Sequence, residues 1–399
     1  MTARKNARLK SFCMVGAGGT PSRDSLERYY QGGTIPWVKS GELREKIIFD
    51  TEEQITEEAL RETNVKIVPA GALLLAMYGA TVGRLGILGV PATTNQAVCH
   101  IIPDPMAADV RYLFHVLSNQ VSALVARGVG GAQPNISQGI VKDLSVALPP
   151  LPEQRRIATI LDKADELRAK RRAAISKLDS LTQAIFLDMF GDPVRNDRGW
   201  PITPVGHFVA GFETGKSLMA NDEDDGSTGL RVLKVSAVTS LRFRPEESKA
   251  LPPDYVPPPS HFVRKGDLLF SRANTQELIG ATALVEDAPE GLVLPDKLWR
   301  FTWHGEPRAD PHFVHWLFRQ PRFRFELGRR ATGTSGSMKN ISQEKVLDIK
   351  VTLPGLSLQR KFGRIAYAIN RLRQVGEEAL STTDTAFASL QHRAFRGEL

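Results

Sequence analysis

Residues 148–155 read Leu-Pro-Pro-Leu-Pro-Glu-Gln-Arg, and residues 353–360 repeat this stretch as Leu-Pro-Gly-Leu-Ser-Leu-Gln-Arg. Upstream of each copy stands the tetrapeptide Asn-Ile-Ser-Gln, at residues 135–138 and again at 340–343. Both pairs are separated by the same 205 positions, so a long segment of the chain occurs twice. Solenoid repeats have periods of about 20–50 residues. The longer period here indicates a duplicated domain.

Blocks nearer the N-terminus also repeat, at a separation of 195 positions. Val68-Pro-Ala-Gly-Ala-Leu-Leu-Leu75 corresponds to Val263-Arg-Lys-Gly-Asp-Leu-Leu-Phe270. Short apolar runs beside Gly and Pro predict strands. The segments that differ between the copies are polar and predict loops. We therefore expect a shared framework whose loops differ, and such loops usually carry the function.

A long helical pattern follows each copy of the repeat. Pro152 suits the first position of a helix, and Gly191 with Pro193 forms a stop signal. Apolar residues recur in both segments at the heptad spacing of a coiled coil. Since neither helix can bury its apolar stripe alone, we predict that the two pair with each other; the alternative is that each packs on its own domain. The predicted pairing residues are Ile157, Ile160, Leu167, Leu178, Leu181, Ile185, Phe362, Ile365, Ile369, Leu372 and Leu390.

The repeat and the helices together predict an α+β fold with pseudo-two-fold symmetry. Two tandem mixed α/β domains are joined and followed by two long helices, which form an antiparallel coiled coil. The predicted boundaries are 1–150 for the first domain, 151–190 for the central helix, 191–354 for the second domain and 355–399 for the C-terminal helix.

The composition narrows the class of partner. A formal net charge of +8 favours a polyanion, and nucleic acid is the expected one. The sequence shows no apolar run long enough to span a bilayer and no secretion signal, so we expect no membrane contact and a cytoplasmic location. The two cysteines, Cys13 and Cys99, and the scattered histidines predict neither a disulfide framework nor a metal site.

Catalytic motifs are missing or lack their context. Residues 210–217 read Ala-Gly-Phe-Glu-Thr-Gly-Lys-Ser and loosely match a phosphate-binding loop, but an acidic run follows where a helix is required. The Asn/Asp-Pro-Pro-Tyr/Phe motif of DNA methyltransferases does not occur, and the sequence shows no Ser/His/Asp pattern typical of nucleophilic catalysis. We therefore predict a non-catalytic chain that binds no cofactor of its own.

Two Gly-rich segments, 127–137 and 329–342, occupy equivalent places in the two copies. Each combines basic side chains with Asn, Gln or Ser, which are residues that contact phosphates and base edges. An ordinary Gly-rich connection with a structural cap is the alternative. Further candidates lie at or just after the matched strands. The predicted DNA-binding residues are Lys39, Tyr78, Arg84, Arg127, Gln133, Asn135, Ser137, Lys234, Arg272, Asn274, Arg329, Arg330, Lys339, Asn340 and Ser342.

Five stretches carry a family resemblance. They are Gly-Gly-Thr-Pro-Ser at 18–22, Ile-Pro-Trp-Val-Lys at 35–39, Tyr-Gly-Ala-Thr-Val-Gly-Arg at 78–84, Ala-Thr-Thr-Asn-Gln-Ala at 92–97 and Leu-Pro-Pro-Leu-Pro-Glu-Gln-Arg-Arg-Ile at 148–157. With them the chain resembles, over essentially its whole length, the DNA specificity subunits of type I restriction–modification systems. The second copy departs from the last block, because Ser357-Leu358 stands in place of Pro-Glu.

This resemblance implies two target recognition domains, each reading one half of a split site in double-stranded DNA. It also implies that the paired helices act as a spacer and dock two methyltransferase subunits, and that restriction subunits complete the nuclease. S-adenosylmethionine, ATP and magnesium would be bound by those partners. Because the loops differ between the copies, the two half-sites should differ as well. The alternative from another class is a scaffold protein whose coiled coil joins two binding domains without DNA.

Overall fold

The chain folds into two compact units. The computed structural model describes residues 5–44, 46–126, 135–216, 229–252, 255–333 and 338–399. Unit 1 comprises Met1–Arg172 and Ala379–Leu399, and unit 2 comprises Ala173–Glu378. Each unit therefore holds one copy of the repeat and a part of each long helix. None of the described helices combines the length and apolarity that a membrane crossing requires.

Unit 1 is built around a central sheet of short strands. Its strands are β1 Lys5–Arg8, β2 Cys13–Ala17, β3 Ile35–Val38, β4 Ile47–Ile48, β5 Gln54–Ile55, β6 Leu73–Ala76, β7 Leu85–Leu88, β8 Thr93–Thr94, β9 Val98–Pro103 and β10 Ser145–Leu148. Its helices are α1 Leu26–Tyr29, α2 Glu57–Glu62, α3 Val110–Ala126, α4 Gln138–Lys142 and the start of α5 Leu151–Phe190. The strand orders are β2-β9-β6-β7-β4 and β5-β3-β8, and β1 pairs with β10.

Unit 2 repeats this plan. Its strands are β11 Ile202–Pro204, β12 Val209–Thr214, β13 Arg231–Leu233, β14 Ser248–Ala250, β15 Leu268–Ser271, β16 Ala273–Asn274, β17 Thr282–Leu284, β18 Leu292–Val293, β19 Leu298–Trp303, β20 Lys339–Asn340 and β21 Lys350–Thr352. Its helices are α6 Ser236–Thr239, α7 Pro311–Arg319, α8 Pro321–Arg330, α9 Gln343–Leu347 and the start of α10 Leu356–Arg396. The orders β12-β19-β15-β17 and β14-β13-β18, with β11 beside β21, correspond to β2-β9-β6-β7, β5-β3-β8 and β1 beside β10 of unit 1. Unit 1 adds β4 to its central sheet, and unit 2 adds the pair β16-β20.

The matched apolar runs form the middle of each central sheet. In β6, Leu73 and Leu75 pack into one cluster of buried residues, whereas Leu74 and Ala76 pack into another. A strand that is buried on both faces reads as a continuous apolar run. Short 3-10 turns connect many of these strands; their bounds are Leu9–Ser11, Arg23–Ser25, Ser40–Glu42, Gly79–Thr81, Val205–His207 and Pro259–His261.

A buried glutamine joins each domain to its following helix. This glutamine is the repeated Gln of the Gln-Arg pair, and in both copies its side chain accepts a backbone N–H and donates to a proline carbonyl. The contacts are Gln154 with the Asp109 N–H (2.9 Å) and the Pro149 carbonyl (2.8 Å), and Gln359 with the Asp310 N–H (2.9 Å) and the Pro354 carbonyl (2.7 Å). The repeat is therefore conserved between the copies down to individual hydrogen bonds.

Helices α5 and α10 pair in antiparallel orientation within each unit. In unit 1 the Arg168 Nε lies 2.5 Å from the Asp384 carboxylate, and Ile157, nearer the start of α5, shares a core with Ala394, nearer the end of α10. In unit 2 the rings of Phe186 and Phe362 lie 5.4 Å apart. The predicted fold class, with tandem mixed domains and two paired long helices, is confirmed.

The predicted pairing residues need one correction. Ile157, Phe362 and Ile369 are buried, and Ile185 packs against the core of unit 2. The half-buried residues are Ile160, Leu178, Ile365 and Leu390. Three residues predicted to pair are instead exposed: Leu167 (46% exposed), Leu181 (48%) and Leu372 (63%).

These leucines are exposed because polar residues next to them in the sequence occupy the positions that face the partner helix. In α5 the inward positions include Arg168 and Thr182, one residue beyond the leucines that a purely apolar heptad selects. Arg168 is held by the ion pair to Asp384, and the Thr182 hydroxyl donates to the Leu178 carbonyl at 2.9 Å. In α10 the residue after Leu372 is Arg373, which is buried and pairs with Glu377 at 2.7 Å.

A charged cluster fixes α5 to the domain of unit 1. The Asp162 carboxylate lies 2.5 Å from the Lys46 Nζ, 2.7 Å from the His115 Nε2 and 3.3 Å from the Arg111 Nη1. Burial alone would raise the pKa of Asp162, but hydrogen bonds from His115 and Lys46 outweigh it and lower this pKa from 3.8 to about 2. The folded unit therefore binds the ionised carboxylate preferentially.

Acid should weaken unit 1 through Asp162. Because the folded pKa lies below the unfolded one, the stabilisation is complete above about pH 4 and is lost as the pH falls towards 2, a change of about 2 kcal/mol. Asp162→Asn should remove this part of the acid dependence, as measured by denaturant unfolding at several pH values. The matched control is Glu166→Gln, since Glu166 is exposed and pairs only with Lys170 in the same helix. An acid profile of Asp162→Asn identical to that of the parent would contradict the assignment.

Candidate nucleic-acid interface

The repeated Asn-Ile-Ser-Gln segment forms a helix cap in both units. The Ser137 hydroxyl accepts the Ile140 N–H at 3.3 Å, and the Ser342 hydroxyl accepts the Lys345 N–H at 3.4 Å. A serine at this position satisfies an N–H that the first helical turn leaves without a partner. Each of these two candidate hydroxyls is thus occupied by its own helix.

The same segment ties the cap to the end of a central strand. The Ile136 N–H donates to the Met77 carbonyl at 2.7 Å, and the Ile341 N–H donates to the Arg272 carbonyl at 3.2 Å. Both isoleucines are buried. The candidates brought beside these strand ends are Asn135 and Asn340, which are both exposed.

In unit 2 this arrangement continues into a two-stranded ribbon made by β16 and β20. Ala273 pairs with Asn340, and Asn274 pairs with Lys339. Arg272 directly precedes β16, so four of the predicted contact residues from distant parts of the sequence meet on one ribbon. Two-stranded β-ribbons are among the elements that enter DNA grooves. This ribbon is the best-defined group of candidates in the structure.

Arg329 and Arg330 lie at the end of α8, near the chain that leads to the ribbon. The Arg329 Nη1 is 3.4 Å from the Glu326 carboxylate, and Arg330 contacts the same carboxylate. Two cations therefore share one anion, and this group keeps a net positive charge, which would favour a polyanion. The remaining candidates of the first Gly-rich segment, Arg127 and Gln133, lie outside the described residues.

In unit 1, Tyr78 and Arg84 lie on either side of the turn between β6 and β7. Tyr78 is half-buried, whereas Arg84 is exposed. Arg84 lines an open concavity of about 750 Å³ together with Arg44, whose Nε donates to the Gly41 carbonyl at 2.9 Å. Sequence reasoning missed Arg44. Its only signal was a basic residue shortly after the block at 35–39.

Lys39 is engaged inside unit 1. Its Nζ lies 3.1 Å from the Glu52 carboxylate and 2.9 Å from that of Glu53, and the hydrogen bond to Glu53 raises the pKa of Lys39. A DNA phosphate would have to replace both ion pairs. Lys234 holds the equivalent position in unit 2, where it is half-buried and its N–H donates to the Glu247 carbonyl at 2.8 Å.

The described residues offer no evident metal centre. Among them, no group of three or more His, Cys, Asp or Glu side chains is placed to hold an ion. Cys13 and Cys99 are buried free thiols, and burial raises the pKa of each to about 12. Both thiols are therefore protonated at neutral pH, and a protonated thiol is neither a ligand nor a nucleophile.

Comparisons with known proteins match this chain to specificity subunits of type I restriction enzymes. Residues 4–177 match the family model described as "Type I restriction modification DNA specificity domain". The chain is 30% identical over 155 residues to the specificity subunit of the type I restriction enzyme EcoR124I/EcoR124II of Escherichia coli, and the alignment covers 38% of each chain. It is 23% identical over 389 residues to the MjaVIII specificity subunit of Methanocaldococcus jannaschii, covering 94% of this chain and 87% of that one.

A solved structure supports the fold over the full length. The S subunit of a type I restriction–modification system from M. genitalium matches with a TM-score of 0.61. The match covers 98% of this chain and 96% of the other, at 14% sequence identity. At this identity the likeness concerns the architecture and not the residues that contact a ligand.

Proposed function

We propose that this chain is a specificity subunit of a type I restriction–modification system and that it selects the DNA sequence on which its complex acts. The support is the family model matched by residues 4–177 and the MjaVIII specificity subunit, which aligns over 94% of the chain. Each domain reads one half of a split site in double-stranded DNA through groups at its strand ends and loops. These similarities do not favour the alternative of a scaffold without DNA.

One observation carries this proposal: the two copies share a framework but differ where it ends. The order of four central strands, the serine caps and the buried glutamines recur in both units. At the ends of the matched strands, however, Met77 and Gly79 of unit 1 stand opposite Arg272 and Asn274 of unit 2. Asn and Arg are donors to base edges, whereas Met and Gly are not. The two half-sites should therefore differ, and the full site should be asymmetric.

The paired helices and the partners complete the proposal. Half-sites that are read from one face of DNA lie about 34 Å, or one helical turn, apart. A stiff helix pair can set such a distance and can dock two methyltransferase subunits, with restriction subunits joining them. S-adenosylmethionine, ATP and magnesium would be bound by those partners. This chain would contribute specificity and no catalytic group.

Exchanging residues 1–150 for the corresponding domain of another member of the family tests the proposal. The hybrid, assembled with its methyltransferase subunits, should recognise a new first half-site and an unchanged second one, because unit 2 is untouched. Methylation sequencing of DNA modified by the hybrid and by the parent gives both half-sites directly.

Two outcomes would oppose the proposal. A change in both half-sites would mean that the domains do not read DNA separately. A parent complex that methylates or binds DNA with no sequence preference would instead support the scaffold alternative. Exchange of residues 191–354 is the matched control, and it should alter the second half-site alone.

A further inference from the structure

The guanidinium of Arg272 forms no hydrogen bond or ion pair with the described part of the chain. Its Nε is buried and lacks a hydrogen-bond partner. The backbone on both sides of this side chain is fixed, since the Arg272 N–H donates to the Lys297 carbonyl at 3.1 Å and its carbonyl accepts the Ile341 N–H at 3.2 Å. Buried donors in folded proteins are nearly always paired. The residue as a whole is only half-buried, and no hydrogen bond within the described ranges holds its two terminal nitrogens, so the outer edge of the guanidinium is the part that can reach an external acceptor.

Trp299 restrains the same guanidinium. The Arg272 Cζ lies 5.8 Å from the centre of the Trp299 ring, within the range of a cation–π contact. Trp299 cannot turn away, because it is 3% exposed and contacts the rings of Phe212, at a centroid distance of 5.0 Å, and Phe270, at 5.5 Å. The arginine head is therefore placed on a fixed aromatic support.

The first copy lacks this arrangement altogether. In unit 1 the carbonyl that accepts the equivalent isoleucine N–H belongs to Met77. The strand registers identify the counterpart of Trp299: Leu75 pairs with Cys99 in unit 1, as Phe270 pairs with Trp299 in unit 2. Met77 and Cys99 are both buried and uncharged. The shared framework thus does not require the arginine–tryptophan pair. The pair therefore serves a role that is specific to unit 2.

We propose that Arg272 is a specificity-determining residue that reads a guanine of the second half-site, with its fork donating to the O6 and N7 atoms. This rests on the proposed function. Guanine offers two adjacent acceptors in the major groove, and arginine is their usual partner. A phosphate would be served equally well by an exposed, movable cation such as Arg329. An arginine that is held over a ring keeps its donors in a fixed orientation, so it binds most favourably to a pair of acceptors of matching fixed geometry.

The test uses the full chain assembled with its methyltransferase subunits and a library of randomised duplex DNA. Bound DNA is sequenced for the parent, for Arg272→Met, which copies unit 1, and for Arg272→Lys, which keeps the charge without the fork. Both variants should lose the preference for guanine at one position of the second half-site by about 10- to 100-fold. The first half-site should be unchanged. Arg329→Gln is the control and should weaken all sequences alike.

Other outcomes separate the inference from the proposed function. If the parent shows a split preference but both Arg272 variants keep every position of it, the inference is wrong and the proposed function stands. If Arg272→Lys retains the guanine preference and Arg272→Met weakens all sequences equally, Arg272 contacts a phosphate and the inference is again wrong. A parent without any sequence preference overturns both. Should Arg272→Met fail to fold, judged by circular dichroism, Arg272→Lys decides alone.

Discussion

Lengthening both long helices by one turn should widen the unread gap between the half-sites by about one to two base pairs. The change is four residues inserted after Ala174 in α5 and four after Glu378 in α10, which both adjoin the division between the units. Four helical residues add about 6 Å, and one base pair of DNA spans about 3.4 Å. Sequencing the methylated sites of the variant complex gives the gap length.

The single insertion in α5 serves as the control. It leaves one added turn without a partner turn in α10, so it should destabilise the protein and give no discrete new gap. If the doubly lengthened protein folds and still recognises the original gap, the helix pair does not set the spacing of the half-sites.

Replacing Gln154 with alanine should lower the unfolding free energy of unit 1 by about 4 kcal/mol. The side chain is fully buried and makes three hydrogen bonds, with the Asp109 N–H at 2.9 Å and with the carbonyls of Ala107 at 2.9 Å and Pro149 at 2.8 Å. Each buried backbone group left without a partner costs about 1–3 kcal/mol. Denaturant unfolding followed by circular dichroism measures the loss.

Two further variants define this prediction. Gln359→Ala should weaken unit 2 by a smaller amount, because Gln359 makes two of these three contacts, with the Asp310 N–H and the Pro354 carbonyl. Gln31→Ala should change the unfolding free energy by less than about 0.5 kcal/mol, since Gln31 is exposed. A loss below about 1 kcal/mol for Gln154→Ala would show that water replaces the amide at this junction.

The sequence predicts the framework well because the framework depends on apolar strand residues and helix-capping residues, which can be recognised locally. The repeated block ending at Leu75 and Phe270 has the composition of buried strands, and the serine of Asn-Ile-Ser has the chemistry of a helix cap. The helix seam was predicted less well. Arg168 and Thr182 occupy inward positions, and a count of apolar residues cannot recognise a buried polar residue whose partner is distant in sequence.

The candidate site was only partly accessible to sequence reasoning. The ribbon of β16 and β20 consists of two-residue strands without any apolar alternation, so nothing local marks it. The position of Arg272 and Asn274 after a matched strand predicts them as candidates without knowledge of the ribbon. The same position predicts Lys39, but its ion pairs with Glu52 and Glu53 depend on the folded arrangement of the chain, which the sequence pattern does not give.

The final turns of α10 have a consequence for how the protein is made. Phe387 and Ala394 belong to the core of unit 1, and the Arg168 guanidinium lies 4.2 Å from the Phe387 ring. A ribosome synthesises these residues only after the whole of unit 2. Until translation reaches them, the apolar face that includes Leu161 has no cover. The first domain is thus completed after the second, and we expect the nascent chain to be prone to aggregation until these turns of α10 have emerged.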